Sequence, residues 1–431
     1  MLRKQLRPVP AHPFSGGSVL TRRHQCTGSS FFNMVKPAPA DAIFGLMKPY
    51  NADKFPQKVN LSVGVYRDEQ GQPFVLESVR KAAAIALDHL EMEYAPITGF
   101  PAYVSKATRL CFGDDAAEEV LERVASVQTL SGTGALRLGG EIIRRVVNSS
   151  QVNMNVSSPT YPNHINIYKE ANFNLLYYPY YDEEKHTVNV PALLTYIKKL
   201  PEHSFVLLHA CCHNPTGCDP TQEEWREVVA ALEERQVIPF VDMAYQGFAT
   251  GDLDRDAFLA RAISRSKVPA FFIAQSFAKN FGLYGHRAGC LHVGCDNPRE
   301  KEVVLSQASQ IARSLYSNPP IYGATIVNTI LGDEALTQLW KSEVALMAKR
   351  LSHIRQRLVE ELAACGCQRD FSHLATGAGM VSLTGLKTNE LSMLRDKHHI
   401  YMTQDGRIAF PGLNETNVKY VAEKIKEVVS Q

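Results

Sequence analysis

From about Val124 onward the chain alternates between short apolar runs and longer amphipathic segments, with turn residues between them. The runs are Val124–Thr129, Val152–Val156, Phe205–His209, Val237–Asp242, Ala270–Gln275 and Cys290–Val293. Regular exchange of a strand period for a helix period is the pattern of strand–helix units wound around a largely parallel sheet, so an α/β fold is expected. The first unit is legible in detail. Val124–Thr129 reads as a strand and Ser131-Gly-Thr-Gly134 as a tight loop, followed by a helix with Leu138, Ile142, Ile143, Val146 and Val147 on one face. Thr221 and Glu224 have the spacing of a capping box before a further amphipathic helix. Polar residues cluster just after these strands, and in open α/β sheets ligands bind outside the carboxyl ends of strands.

At 431 residues the chain exceeds one ordinary domain of roughly 100–200 residues. Segments before about Pro73 and after about Ser342 look less sheet-like. The expected division is a leader at 1–35, an N-terminal arm with part of a smaller α/β domain at 36–73, a large domain at 74–342, and the rest of the smaller domain at 343–431.

Charge excludes some partners. Lys and Arg number 46 against 44 Asp and Glu, a net charge of +2, which gives no broad electrostatic reason to bind nucleic acid or an anionic membrane. The longest apolar runs fall short of the about 20 residues that span a bilayer, so no membrane partner is expected. Nine cysteines is an odd number, and Cys211–Cys212 and Cys365/Cys367 are too closely spaced for a secreted disulfide framework, which favours a reducing compartment. His209, Cys211, Cys212, His213 and Cys218 lack a clean pair of ligand pairs, so no metal is expected. Arg3, Lys4, Arg7, Arg22, Arg23 and Lys36 precede any useful acidic balance, the first acid being Asp41. Such composition is that of an organellar transit peptide and points to the mitochondrial matrix, with a cytoplasmic tail as the alternative.

The strongest local signal is Ser276-Phe-Ala-Lys279-Asn-Phe-Gly-Leu-Tyr-Gly-His-Arg287-Ala-Gly289. A lysine just beyond an apolar strand, with an arginine eight positions later, suits an amine at the floor of a pocket beside an anion. Such an amine bonds covalently to an aldehyde when its surroundings favour the neutral form. Most lysines are solvated surface groups; the apolar approach and the glycines argue against that here.

This stretch resembles the cofactor-lysine signature of class I aminotransferases. His209-Ala-Cys-Cys-His-Asn214-Pro-Thr-Gly217 resembles that family's Asn-Pro-Thr-Gly turn, and Asp242-Met-Ala-Tyr245 its Asp-x-x-Tyr segment. Within the family the likeness is greatest to the aspartate-specific branch, through Val63-Gly64-Val65-Tyr66, Ser131-Gly132-Thr133, Arg313-Ser-Leu-Tyr-Ser-Asn-Pro-Pro320 and Gly406-Arg407-Ile408. The resemblance implies the type I fold of pyridoxal-phosphate transferases, a homodimer with shared active sites, and amino acids and 2-oxo acids as substrates.

Residue roles follow from the same likeness. Lys279 would carry pyridoxal 5'-phosphate and, once displaced, shuttle a proton. Ser131, Gly132, Thr133, Ser276 and Arg287 would hold the phosphate, with Tyr94 reaching it across the dimer. Asp242, steadied by His164, would keep the ring nitrogen protonated, while Asn214 and Tyr245 would bond the ring's 3-oxygen. Arg407 would bind the α-carboxylate and Arg313, from the other subunit, the side-chain carboxylate, beside Gly64 and Asn214. Taken singly, Asp242 reads equally well as a cap or turn residue, Asn214 and Tyr245 as structural residues, and either arginine as a surface ion pair.

Two positions depart from the pattern. Tyr161 stands where the aspartate enzymes usually stack a tryptophan on the cofactor, and Val381 where phenylalanine is common. Both changes would admit broader or aromatic substrates. A nicotinamide-dependent oxidoreductase is the rival for a strand, glycine-rich loop and helix, but Gly132-Thr-Gly134-Ala-Leu-Arg137 lacks the third glycine. A non-catalytic cofactor-binding protein is disfavoured because Lys279, Asp242, Arg287 and Arg407 are all present.

Overall fold

Seven strands form one sheet among the residues that the computed structural model describes, namely 31–88, 92–114, 116, 118–149 and 151–430. In chain order they are β1 (Val124–Leu130), β2 (Val152–Ser158), β3 (Phe173–Pro179), β4 (Phe205–His209), β5 (Ile238–Met243), β6 (Phe271–Ser276) and β7 (Ala288–Gly294). Their spatial order is β1-β7-β6-β5-β4-β2-β3. All neighbours run parallel except at β7, which is antiparallel to both β1 and β6. The expected mainly parallel α/β sheet is present.

Side-chain alternation along the strands divides the core into two layers. On β4, Val206 and Leu208 pack with Trp225, Val228 and Leu232 of the helix Gln222–Glu234, while Phe205 and Leu207 join a cluster containing Leu138, Ile142 and Ile143 of the helix Ser131–Val147. The same split recurs on β6, with Phe271 and Ile273 on one face and Phe272 and Ala274 on the other. Strands buried on both faces must be apolar at every position, which is why the runs read as continuous. The capping box forms as expected: Glu224 N donates to Thr221 Oγ1 at 3.2 Å and Thr221 N to Glu224 Oε2 at 2.7 Å.

Two features differ from the sequence reading. β3 lies at the sheet edge with Asn174, Leu176 and Tyr177 exposed, and its apolar stretch Leu175–Tyr178 stands outside the runs read as strands from the sequence. Val146 and Val147 are exposed rather than packed, because the helix ends there.

Outside the sheet, the helix Glu334–Ala364 buries Trp340, Val344, Met347, Leu351, Ile354, Leu358 and Leu362, a helical stripe with three- and four-residue steps. It packs with the C-terminal helix Val418–Val429 and with two short strand pairs, Val59–Asn60 with Ile400–Tyr401 and Val381–Leu383 with Arg407–Ala409. Residues 42–431 form one compact unit. The segment before it contributes one helical turn, Phe31–Met34, and most of the expected leader lies outside the described residues. No described helix is long and apolar enough to cross a membrane.

Candidate active site

The carboxyl ends of β1, β2, β4, β5 and β6 share one edge of the sheet, and β7, running the opposite way, begins there. At β1 the chain passes directly into a helix: Ser131, at φ 60°, is already its first residue, so the expected tight loop is the first helical turn. The opening turn of a helix has amide N–H groups without intrahelical acceptors and the positive end of the helix dipole. Ser131 Oγ lies 2.8 Å from Ser276 Oγ at the end of β6. Gly132 sits where a β-carbon would come 3.2 Å from the Ser276 β-carbon, a tight contact that glycine avoids where helix and strand meet. Thr133 is exposed beside them.

Arg287 immediately precedes β7, and its Nη2 donates to Leu130 O at 3.4 Å while Nη1 donates to Tyr284 O at 2.9 Å. No carboxylate among the described residues pairs with it. Amides, hydroxyls and a guanidinium whose charge no described carboxylate neutralises together suit a phosphate.

Asp242, near the end of β5, is buried with its Oδ2 3.0 Å from His164 Nε2. Thr160 Oγ1 lies 2.9 Å from the other ring nitrogen of His164. Burial alone would raise the Asp242 carboxyl, but the hydrogen bond to His164, first among the opposing influences, outweighs it with its neighbours and holds the group below the usual carboxylate range. A buried anion is thereby available to a cationic partner.

Lys279 follows β6 and carries its Nζ 4.9 Å from the centroid of the buried Tyr245 ring. Burial pushes this amine below the ordinary lysine value; Asp242 opposes the shift, and Arg287 and Arg407 add to it. The neutral amine is the nucleophile and the base that covalent chemistry needs.

Arg407 is the third element. It lies buried on the strand Arg407–Ala409, where Nη2 donates to Ser62 O at 2.6 Å and Nη1 to Asn214 Oδ1 at 3.4 Å. Its Nε is buried without a hydrogen-bond partner, and no described carboxylate pairs with the guanidinium. A buried cation with an unused donor is costly unless a ligand completes it. Gly64, two residues beyond Ser62, faces open space at its β-carbon position. Tyr161 stands edge-on to His164, with ring centroids 5.4 Å apart.

A model of the aminotransferase class I and II family matches residues 56–425. The chain belongs to that family. An Arabidopsis thaliana protein called aspartate aminotransferase, mitochondrial, is 44% identical over 93% of this chain and 92% of its own. A solved mitochondrial aspartate aminotransferase from Trypanosoma brucei is 47% identical, with a TM-score of 0.85 over 89% of this chain and 99% of that one. An aromatic-amino-acid aminotransferase from Burkholderia pseudomallei, covalently bound to pyridoxal phosphate, is 38% identical, with a TM-score of 0.89 over 93% and 100%. Relatives of comparable similarity are called mitochondrial, chloroplastic or cytoplasmic.

This aminotransferase chain does not bring every expected residue together. Tyr94 is 79% exposed and Arg313 is also on the surface, donating to Ser317 Oγ. They nevertheless belong to one patch: Ser317 Oγ donates to Asn318 Oδ1 at 2.7 Å, and Asn318 Nδ2 donates to Ala95 O at 2.7 Å, beside Tyr94. Sequence reasoning missed Thr160, although it directly precedes Tyr161, and Ser62, whose contribution is a backbone carbonyl that no side chain signals.

The residues fit pyridoxal phosphate on three counts: an anion cradle at Ser131, Ser276 and Arg287, an ionised Asp242 for a ring cation, and a depressed amine at Lys279 for an aldehyde.

Proposed function

We propose that the chain is a pyridoxal-phosphate-dependent aspartate aminotransferase, moving the amino group of L-aspartate to 2-oxoglutarate and giving oxaloacetate and L-glutamate in a ping-pong cycle. One observation carries the reading: Lys279, its Nζ 4.9 Å from the Tyr245 ring centroid, shares one sheet edge with the buried Asp242–His164 pair and with Arg287, while the buried Arg407 bonds Asn214 beyond it, and neither arginine has an acidic partner among the described residues.

When bound, pyridoxal phosphate supplies an aldehyde that takes up the amino group and a ring that draws electron density from the substrate Cα. Asp242, kept ionised by His164, holds a proton at the ring nitrogen. Asn214 and Tyr245 would hydrogen-bond the ring's 3-oxygen, Tyr161 would lie against the ring, and Ser131, Gly132, Thr133, Ser276 and Arg287 would hold the phosphate. Arg407 grips the α-carboxylate and fixes the Cα–H bond towards Lys279. With its proton affinity lowered by burial, the Lys279 amine would take up the Cα proton and hold it at Nζ, short-range acid–base catalysis by one group.

Arg313 and Tyr94 serve the site of a second copy in a homodimer. Their shared exposed patch supports this, as do the exposed apolar side chains of Ile85, Leu87, Met92 and Leu315 nearby in sequence. Residues 74–342 act as a large domain against a smaller one made of 36–73 and 343–431. The basic leader and the mitochondrial relatives favour the mitochondrial matrix.

A second reading, broad or aromatic specificity, draws on Tyr161 and Val381 and on the similarity to the aromatic-amino-acid enzyme.

The test is borohydride reduction of the cofactor-loaded protein followed by peptide mapping, with a panel of amino donors against 2-oxoglutarate. The label is expected on Lys279 and the highest turnover with aspartate. A label on another residue, or a K279A variant with normal turnover, would overturn the reading.

A further inference from the structure

Arg355, in the middle of the helix Glu334–Ala364, is fully buried although no described carboxylate pairs with it. Its guanidinium has five N–H donors in a planar fork, and all are committed. Nε donates to Gly379 O at 3.2 Å, and Nη1 to Leu374 O at 2.9 Å and Ser382 Oγ at 2.8 Å. Nη2 donates to Ala378 O at 3.0 Å, Gly379 O at 3.0 Å and Val381 O at 2.8 Å. The cation also lies 3.9 Å from the centroid of the Phe410 ring. A buried charge is thus solvated by the dipoles of one segment, 374–382, instead of by an acid.

That segment supports both halves of the substrate side of the site. Ala378 N donates to Gly217 O at 2.7 Å, which fixes the Asn214-Pro-Thr-Gly217 turn. Val381–Leu383 pairs with Arg407–Ala409, with Leu383 opposite Arg407, and Phe410 N donates to Met380 O at 2.9 Å. The space is filled: a β-carbon on Gly217 would stand 2.4 Å from Ser382 Oγ, and one on Gly377 2.7 Å from Arg355 Nη1. Asn214 and Arg407, which meet at 3.4 Å, therefore sit on two elements pinned to the same segment.

We propose that Arg355 is a positioning residue for substrate carboxylate recognition, clamping the 374–382 segment so that Arg407 and Asn214 keep a common register. It touches neither substrate nor cofactor and acts through those two residues. The proposal rests on Arg407 being the α-carboxylate site.

The experiment measures, in cofactor-loaded enzyme, the affinity for succinate as an unreactive dicarboxylate probe and the pH midpoint of the cofactor's visible band. It compares wild type with R355M, R355K, S382A and R407A. Loss of the clamp is expected to weaken succinate binding in R355M by tenfold or more and to shift the absorbance midpoint, because Asn214 moves together with Arg407. R355K keeps the charge but has three donors in place of the fork, and should lie between wild type and R355M. S382A removes one acceptor and should shift both readouts in the same sense by less, which keeps the test available if R355M does not fold. Succinate affinity and midpoint within twofold of wild type in folded R355M, or in S382A and R355K together, would overturn the proposal, provided R407A has lost binding. Undiminished binding in R407A would instead overturn the assignment on which the proposal rests.

Discussion

His164 Nε2 and Asp242 Oδ2 lie 3.0 Å apart with both residues buried, so the carboxylate at the end of β5 has a neighbour that lowers its proton affinity. Removing that neighbour leaves an anion in a poor solvent. Hydrogen bonds to charged groups contribute about 1.5–3 kcal/mol, or roughly tenfold to a hundredfold in rate if the charge is used in the transition state. H164A is expected to lose activity by that factor and D242A by considerably more, as measured by single-turnover kinetics. Equal rates for H164A and wild type would remove His164 from the site.

Arg407 is expected to answer to shape as well as charge. R407K keeps a cation but loses the two-pronged geometry that meets a carboxylate. A rise in KM with a loss of about tenfold to a hundredfold in kcat/KM is expected for R407K, and a larger loss for R407A, since each forfeited charge-assisted bond is worth about 1.5–3 kcal/mol. Steady-state kinetics with aspartate checks this.

Specificity should respond to the two departures from the family pattern. Restoring bulk with Y161W and V381F together is expected to lower the efficiency with tyrosine by about tenfold relative to aspartate, the scale of a modest change in an apolar pocket. The ratio of kcat/KM values is the measurement, and an unchanged ratio would clear both residues of a part in selection.

The proposed sharing of sites in a homodimer predicts complementation between inactive variants. K279A mixed with R313A after unfolding and reassembly should regain about a quarter of wild-type activity, because half of random dimers are mixed and each holds one intact site. No recovery, with mixed dimers shown to form, would mean that Arg313 serves its own subunit.

Acid stability follows from buried histidines. Burial pushes His209 and His292 down to about 3 from 6.5, and His213 well below its ordinary value, so all three stay neutral in the folded chain. Below pH 6.5 the unfolded chain takes up protons that the folded one refuses, until the folded pKa is reached. Stability is therefore complete above that range and falls as pH drops, by about 1.4 kcal/mol per pH unit for each such histidine. His292, held between Ser126 Oγ at 2.8 Å and Gln275 Oε1 at 3.0 Å, is the test case. H292Q should unfold between pH 6 and 4 with about one proton fewer taken up, seen in denaturant melts across that range.

Much of this was legible before any coordinates. Strands buried on both faces, such as β4 and β6, announced themselves because every position had to be apolar. β3 carries a comparable stretch, Leu175–Tyr178, but as an edge strand with exposed Asn174, Leu176 and Tyr177 it obeys no burial rule that would mark it. Lys279 was readable as an amine placed just after an apolar strand, whereas Asp242 and Asn214 drew their roles from the family resemblance; the structure brings all three to one edge. Arg355 was not: its partners are nearly all backbone carbonyls, and a carbonyl leaves no trace in the identity of its residue. Ser62 was hidden for the same reason. Arg313 and Tyr94 matched a motif, yet one chain alone leaves both at its surface.

The reversal of direction at β7 has a consequence for how tolerant this protein is of change. Residues 277–287 form a single hairpin loop whose two ends are anchored in adjacent strands, and that loop holds both Lys279 and Arg287. The separation between the Lys279 amine and the Arg287 guanidinium, proposed to hold the phosphate, is thus set by one short span of chain, like the jaws of a caliper. Insertions in the helical connections on either face can lengthen or reshape the molecule while leaving that gap untouched.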